Sequence, residues 1–155
     1  MDQQGAIGPD ERRTLELAPF WILSAVVGRY RGFNQPTLDA LDRLLASAGP
    51  SAGAAYDVVV GVGSRLGDVL AEFEQDGRPI VSGLLQVDTL LETRPAEEAH
   101  AVRLLLVDTI GMGIARARGP FGAEATREDA ERLELAEAIL APTPSFGQAL
   151  VEPVP

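Results

Sequence analysis

The sequence predicts an all-α fold: one domain of six helices containing an internal helix-turn-helix pseudo-repeat. Three observations carry that expectation. Two nearly continuous apolar stretches, Phe20 to Val27 and Leu104 to Ile114, each run into Arg-x-Arg-Gly, first Arg29-Tyr30-Arg31-Gly32 and then Arg116-Ala117-Arg118-Gly119. Each is followed by a turn bearing Phe33 or Phe121 and by an acidic segment with an acid-Arg-Leu core, Asp42-Arg43-Leu44 or Glu131-Arg132-Leu133. Finally, prolines stand at segment starts (Pro36, Pro79, Pro95, Pro120) and glycines at segment ends (Gly32, Gly49, Gly77, Gly119). Proline is tolerated in a helix's first turn and glycine just past its last, so this order marks helices.

Taken in order, the first helix is expected from about Pro19, or slightly earlier, to Tyr30. It is apolar all round, as a buried central helix is. The second spans Gln35 to Ala48 behind Asn34 as N-cap, with Leu38, Leu41, Leu44 and Leu45 as its apolar stripe. The third segment, Ala54 to Gln75, has two readings. Val58-Val59-Val60 followed by Gly61-Val62-Gly63-Ser64-Arg65-Leu66-Gly67 resembles a strand feeding a glycine-rich, dinucleotide-binding turn. Against that, Ala55, Val58, Val59, Val62, Leu66, Val69, Leu70 and Phe73 keep helical spacing through the glycines, and a single long helix is the preferred reading. The fourth helix covers Pro79 to Glu92 and buries Ile80, Val81, Leu84, Leu85, Val87 and Leu91. The fifth covers Pro95 to Ala117, with Glu97 and Glu98 complementing its N-terminal dipole. The sixth opens at Thr126-Arg127-Glu128-Asp129, a variant capping box, and runs to about Leu140. The domain thus occupies 14–141, between a flexible N-terminus (1–13) and a proline-rich tail (142–155). The first and fifth helices are expected to cross in the core, with Ser24, Ala25 and Gly28 against Gly111, Gly113 and Ala115.

Composition narrows the chemistry. With no Cys and no Lys (all 13 basic residues are Arg), this chain supplies no thiolate nucleophile, Cys-zinc site or Schiff-base lysine. One His leaves a single imidazole for acid–base work. The net charge of −10 argues against nucleic-acid backbone binding; it suits solubility, cationic partners or divalent cations, and the preferred reading is a solvated acidic surface. The polar first thirteen residues lack a signal-peptide apolar region, and no run is long enough to span a bilayer, so a cytoplasmic protein is expected.

Three constellations are candidates for function. Arg29, Arg31, Arg116 and Arg118 would form an anion site if the repeat units are related by a two-fold axis. The simpler account is that these cations complement helix C-termini. Glu97 and His100 have the Glu-x-x-His spacing of di-iron carboxylate bundles, with Asp108 as a further metal-ligand candidate. With a single His, such a site needs a second chain. Asp88 and Asp108 lie within apolar runs, where a buried carboxylate must be paired. Arg29, Arg65, Arg103 and Arg116 are the candidate partners, and an internal ion pair is preferred over a catalytic carboxylate. Phe20, Trp21, Tyr30 and Phe33 read mainly as core.

The duplicated unit, carried by Ile22 to Gly32 and Val107 to Gly119 with their acidic helices, resembles the tellurite-resistance TerB-like family over about residues 14 to 141. That resemblance implies an all-helical, internally duplicated domain associated with tellurite or stress response. The family places an acid associated with metal binding before each turn glycine; here Arg31 and Arg118 stand there. The resulting expectation is a non-enzymatic interaction or structural module, homodimeric and without cofactor. The alternative is a protein binding a small ligand, an oxyanion or a divalent metal.

Overall fold

The computed structural model describes residues 7–27, 33–118 and 134–140. All regular secondary structure among these residues is helical, with no strand. The elements are α1 (Pro9–Val27), α2 (Gln35–Ala46), α3 (Ala54–Gly61), a 3₁₀ turn (Val62–Arg65), α4 (Leu66–Asp76), α5 (Ile80–Glu92), α6 (Ala96–Leu104), a π-helical stretch (Leu105–Met112) and α7 (Gly113–Arg118). A last helix, α8, covers 134–140.

α1 is the axis of the molecule. Every residue from Thr14 to Val26 is buried. It packs against α3, α4, α5, the π-helical stretch and α7. The helix starts at Pro9 rather than at Pro19. Pro9 opens the first turn, where its missing N–H costs nothing, and Asp10 and Glu11 follow as dipole-complementing acids. Pro19 lies inside α1, a position that costs about 3 kcal/mol by propensity alone. Burial on all sides holds the helix together across it.

α2 is capped as its sequence indicates: Asn34 Oδ1 accepts from Thr37 N at 2.9 Å. The segment after Gly53 is helical, so the dinucleotide-turn reading falls. It is also not one uniform helix, because the chain tightens into the 3₁₀ turn at Val62–Arg65. Ser64 Oγ donates to Gly61 O, and Gly63 lies against Leu45 of α2, so this stretch contacts a neighbouring helix rather than framing a phosphate loop. The backbone at Gly61 is ordinary helix (φ −64°), and a side chain added at Gly61 or at Gly67 meets open space. Gly61→Ala and Gly67→Ala are each expected to stabilise the protein by about 0.5–1 kcal/mol, read as a raised melting temperature.

α4 ends at Asp76 with Gly77 in the left-handed conformation (φ 83°). α5 then returns antiparallel to α1: Gly83 lies beneath Trp21, while Gln86 to Thr93 border Asp10 to Thr14. Phe20, Phe33 and Phe73 cluster with centroids 5.5–6.3 Å apart, and Trp21 meets Phe73 edge-on.

The π-helical stretch packs on α1, as the expected crossing requires, but the small-residue seam differs. Gly113 faces Leu44 of α2 instead of α1. A glycine that α1 does pack closely against belongs to α5: Gly83 lies against Trp21. Gly28 lies outside the described residues, as do the turn residues 29–32 and 119–121 that define the repeat.

Candidate functional site

Arginine–carboxylate contacts connect the helices, the acids being more enclosed than most of the arginines, and they show which polar groups are structural. Glu16 of α1 accepts from Arg65 Nη1 at 2.8 Å and from Arg12 Nε at 3.2 Å. Asp88 of α5 accepts from Arg103 Nη2 of α6 at 2.8 Å, the internal ion pair expected of an acid in an apolar run. It joins α5 to α6 rather than α1 to the π-helical stretch. Glu98 is the most enclosed carboxylate of these. Its Oε2 accepts from Ala55 N at the start of α3 at 2.6 Å, and Arg94 donates to both of its oxygens.

The candidate metal residues are elsewhere. Glu97 and His100 are exposed on the outer face of α6, and Asp108 is exposed on the π-helical stretch. The apolar run around Asp108 is not buried on every side: Leu104, one turn earlier, is exposed too. No group of three or more metal-ligating side chains occurs among the described residues. Of the candidate anion site, Arg116 is exposed on α7; Arg29, Arg31 and the side chain of Arg118 lie outside the described residues.

Glu98, expected from sequence only to complement the helix dipole, carried a second signal. Arg94 precedes it by four residues, and Glu98, Val102 and Leu105 share a face at helical spacing.

One concave feature among the described residues is an open groove of about 400 Å³ between the start of α1 and the second half of α5. Asp10, Glu11 and Thr14 line one wall, and Leu85, Gln86, Thr89, Leu90 and Thr93 the other. Its floor is mainly apolar. Leu85 is 49% exposed, and Val81, one turn before it on the same face, is 45% exposed. Leu104 and Leu135 are the other large apolar side chains that stand out from the described surface.

Behind the groove sits Arg78. Its guanidinium stacks 4.8 Å from the Trp21 ring centroid. Nη1 donates to Thr14 Oγ1 at 3.2 Å and to Gln86 Oε1, both groove-lining residues. Nε and Nη2 donate to the two oxygens of Asp76 at 2.7 and 2.9 Å, and the Arg78 backbone N–H adds a third bond. The side-chain hydrogen bonds from Arg78 hold the Asp76 carboxyl below its ordinary value of 3.8, against the opposing effect of burial; the backbone bond and the charges of Arg78 and Arg13 act in the same direction. A depressed folded-state pKa contributes stability that is present above 3.8 and lost as pH falls through the folded value. Asp76→Asn is therefore expected to cost about 2 kcal/mol at neutral pH. The gap to the parent should narrow below 3.8, read from urea unfolding across a pH series.

No described helix is long and apolar enough to cross a membrane. Comparison with known families, with curated proteins and with solved structures finds no match for this chain.

Proposed function

We propose that this protein is a non-enzymatic helical interaction module whose partner docks on the outer face of α5. The observation that carries this reading is the pairing of two half-exposed side chains, Val81 and Leu85, with the apolar floor of the adjoining groove. Single exposed apolar residues are ordinary on a protein surface, whereas a contiguous apolar strip beside a groove is where partners seat. The buried carboxylates support the same conclusion from the other side. Glu16, Asp76, Asp88 and Glu98 are each committed to arginine, so these acids hold helices together instead of standing ready for proton transfer.

A small-ligand reading draws on the groove volume, about 400 Å³, which lies within the range of small-molecule sites. The open mouth and threonine rim favour a protein partner. The TerB-like resemblance alone adds an internally duplicated architecture and a setting in tellurite or stress response, which growth of a deletion strain on tellurite checks.

Native mass spectrometry of the protein purified from its own cells tests the module reading. The expected spectrum holds the chain plus a protein-sized mass, and that mass leaves in a Val81→Ser, Leu85→Ser double variant. A homodimer through this face appears as a doubled chain mass with the same sensitivity. The bare chain, or a complex indifferent to both substitutions, overturns the reading.

A further inference from the structure

The groove's charge identifies the kind of partner. Its rim carries Asp10 and Glu11 and no lining residue is basic. Glu11 Oε1 accepts from Gly8 N at 3.0 Å and keeps its charge exposed to solvent. Asp10 has no ion-pair partner among the described residues. The nearby guanidinium of Arg78 is bonded to both oxygens of Asp76, so it offers the groove little uncompensated positive charge. From these contacts and the open apolar floor, we infer that the groove receives a cationic amphipathic helix. An apolar edge of that helix lies along Val81 and Leu85 and continues past Thr89 on the same face of α5, and its Arg or Lys side chains face Asp10 and Glu11.

The dimensions suit such an occupant. At about 1.5 Å per residue, α5 from Val81 to Thr93 presents a strip about 18 Å long, room for roughly three turns of a partner helix. Helix-in-groove recognition uses apolar anchors at i, i+3 or i+4, and i+7, which is the spacing such a strip can seat. Charge decides against a second copy of this chain. With 23 acids to 13 arginines, each copy carries a net charge of −10, and bringing two together opposes an acidic rim with an acidic surface.

The same contacts supply a reporter. Trp21 is the chain's one tryptophan, and the Arg78 that covers it is bonded to Thr14 and Gln86 on opposite groove walls. An occupant that presses on either wall shifts Arg78 and changes Trp21 emission.

This inference rests on the interaction-module reading and is tested separately from it. The full chain is titrated with a synthetic helical peptide carrying Leu at i, i+4 and i+7 and Arg at flanking positions. A matched peptide has Glu in place of each Arg, and both lack tryptophan. The Arg peptide is expected to bind saturably with a change in Trp21 emission, and amide shifts on α1 and α5 should mark the groove. The Glu peptide should bind at least about tenfold more weakly. Asp10→Asn with Glu11→Gln should slow association about tenfold at low salt, an effect that fades at high ionic strength. Leu85→Asp should abolish binding, and Leu104→Asp, on α6, should leave it intact. Equal binding of the two peptides, insensitivity to Leu85→Asp, or no saturable binding overturns the inference. Self-association abolished by Leu85→Asp overturns it as well, in favour of a second copy. If the cell-derived complex still depends on Val81 and Leu85 while the Arg peptide fails, the module reading stands and the cationic-helix inference alone is lost.

Discussion

Glu98→Ala is expected to destabilise the protein by about 3–5 kcal/mol, a large share of what a domain of this size possesses. The Glu98 and Arg94 side chains are only 5% and 7% exposed, so the pair sits in a medium that screens it little. Removing the carboxylate takes a bidentate, buried counter-charge from beside Arg94 and leaves Ala55 N, an orphan donor in the first turn of α3, without its acceptor. The backbone is built around this contact. Gly53 has φ 133°, and a Cβ there would lie 2.5 Å from Glu98 Cδ, so the chain entering α3 has room for the carboxylate only because residue 53 is glycine. Glu98→Gln keeps an acceptor for Ala55 N but loses the charge, and it should fall between the parent and Glu98→Ala. Urea unfolding of the three proteins measures the series. A loss below about 1 kcal/mol for Glu98→Ala would mean that the pair behaves as a solvated surface bridge.

That carboxylate also shows where sequence reasoning reached its limit. Helix positions were legible because Pro, Gly and apolar spacing act locally: Asn34 caps α2, Gly77 ends α4, and Asp88 finds a buried arginine. What could not be read from local rules was set by tertiary contact. Pro19 looks like a helix start because its preference for the first turn is local, yet burial against five neighbouring elements carries α1 through it. The 3₁₀ turn at Val62–Arg65 and the π-helical stretch at Leu105–Met112 both change the backbone register inside segments whose apolar pattern stays helical. Periodicity alone does not separate these variants from α-helix. At the groove, Leu85 read as core because it continues a run of apolar residues, Leu84-Leu85. Its exposure depends on which side of α5 meets α1, and Gly83 under Trp21 fixes that. The groove itself joins residues 10–14 to residues 85–93, a juxtaposition with no sequence-local signal.

Gly83→Ala tests that packing directly. In an open helix interior the change would stabilise by about 1 kcal/mol, because alanine has the better helix propensity. Here the added methyl would fall inside the Trp21 ring, against Cε2, Cδ2 and Cζ2, well within van der Waals contact. The ring has little freedom to retreat: it is fully buried, edge-on to Phe73, and covered by Arg78. The helices must therefore separate, and overpacking of this kind typically costs about 1–3 kcal/mol and sometimes more. With a clash this deep the cost is expected at the top of that range, which leaves a net loss of about 2 kcal/mol after the propensity gain, opposite in sign to Gly61→Ala and Gly67→Ala, where nothing lies within 4 Å. Trp21 emission should move with it, since displacing the indole disturbs the Arg78 stack, and the Arg78 bonds to Thr14 and Gln86 should loosen the groove walls together. A Gly83→Ala protein as stable as the parent, with unchanged emission, would show that α1 and α5 do not meet at this point. The face that α5 turns outward, with Val81 and Leu85 on it, would then have to be assigned afresh.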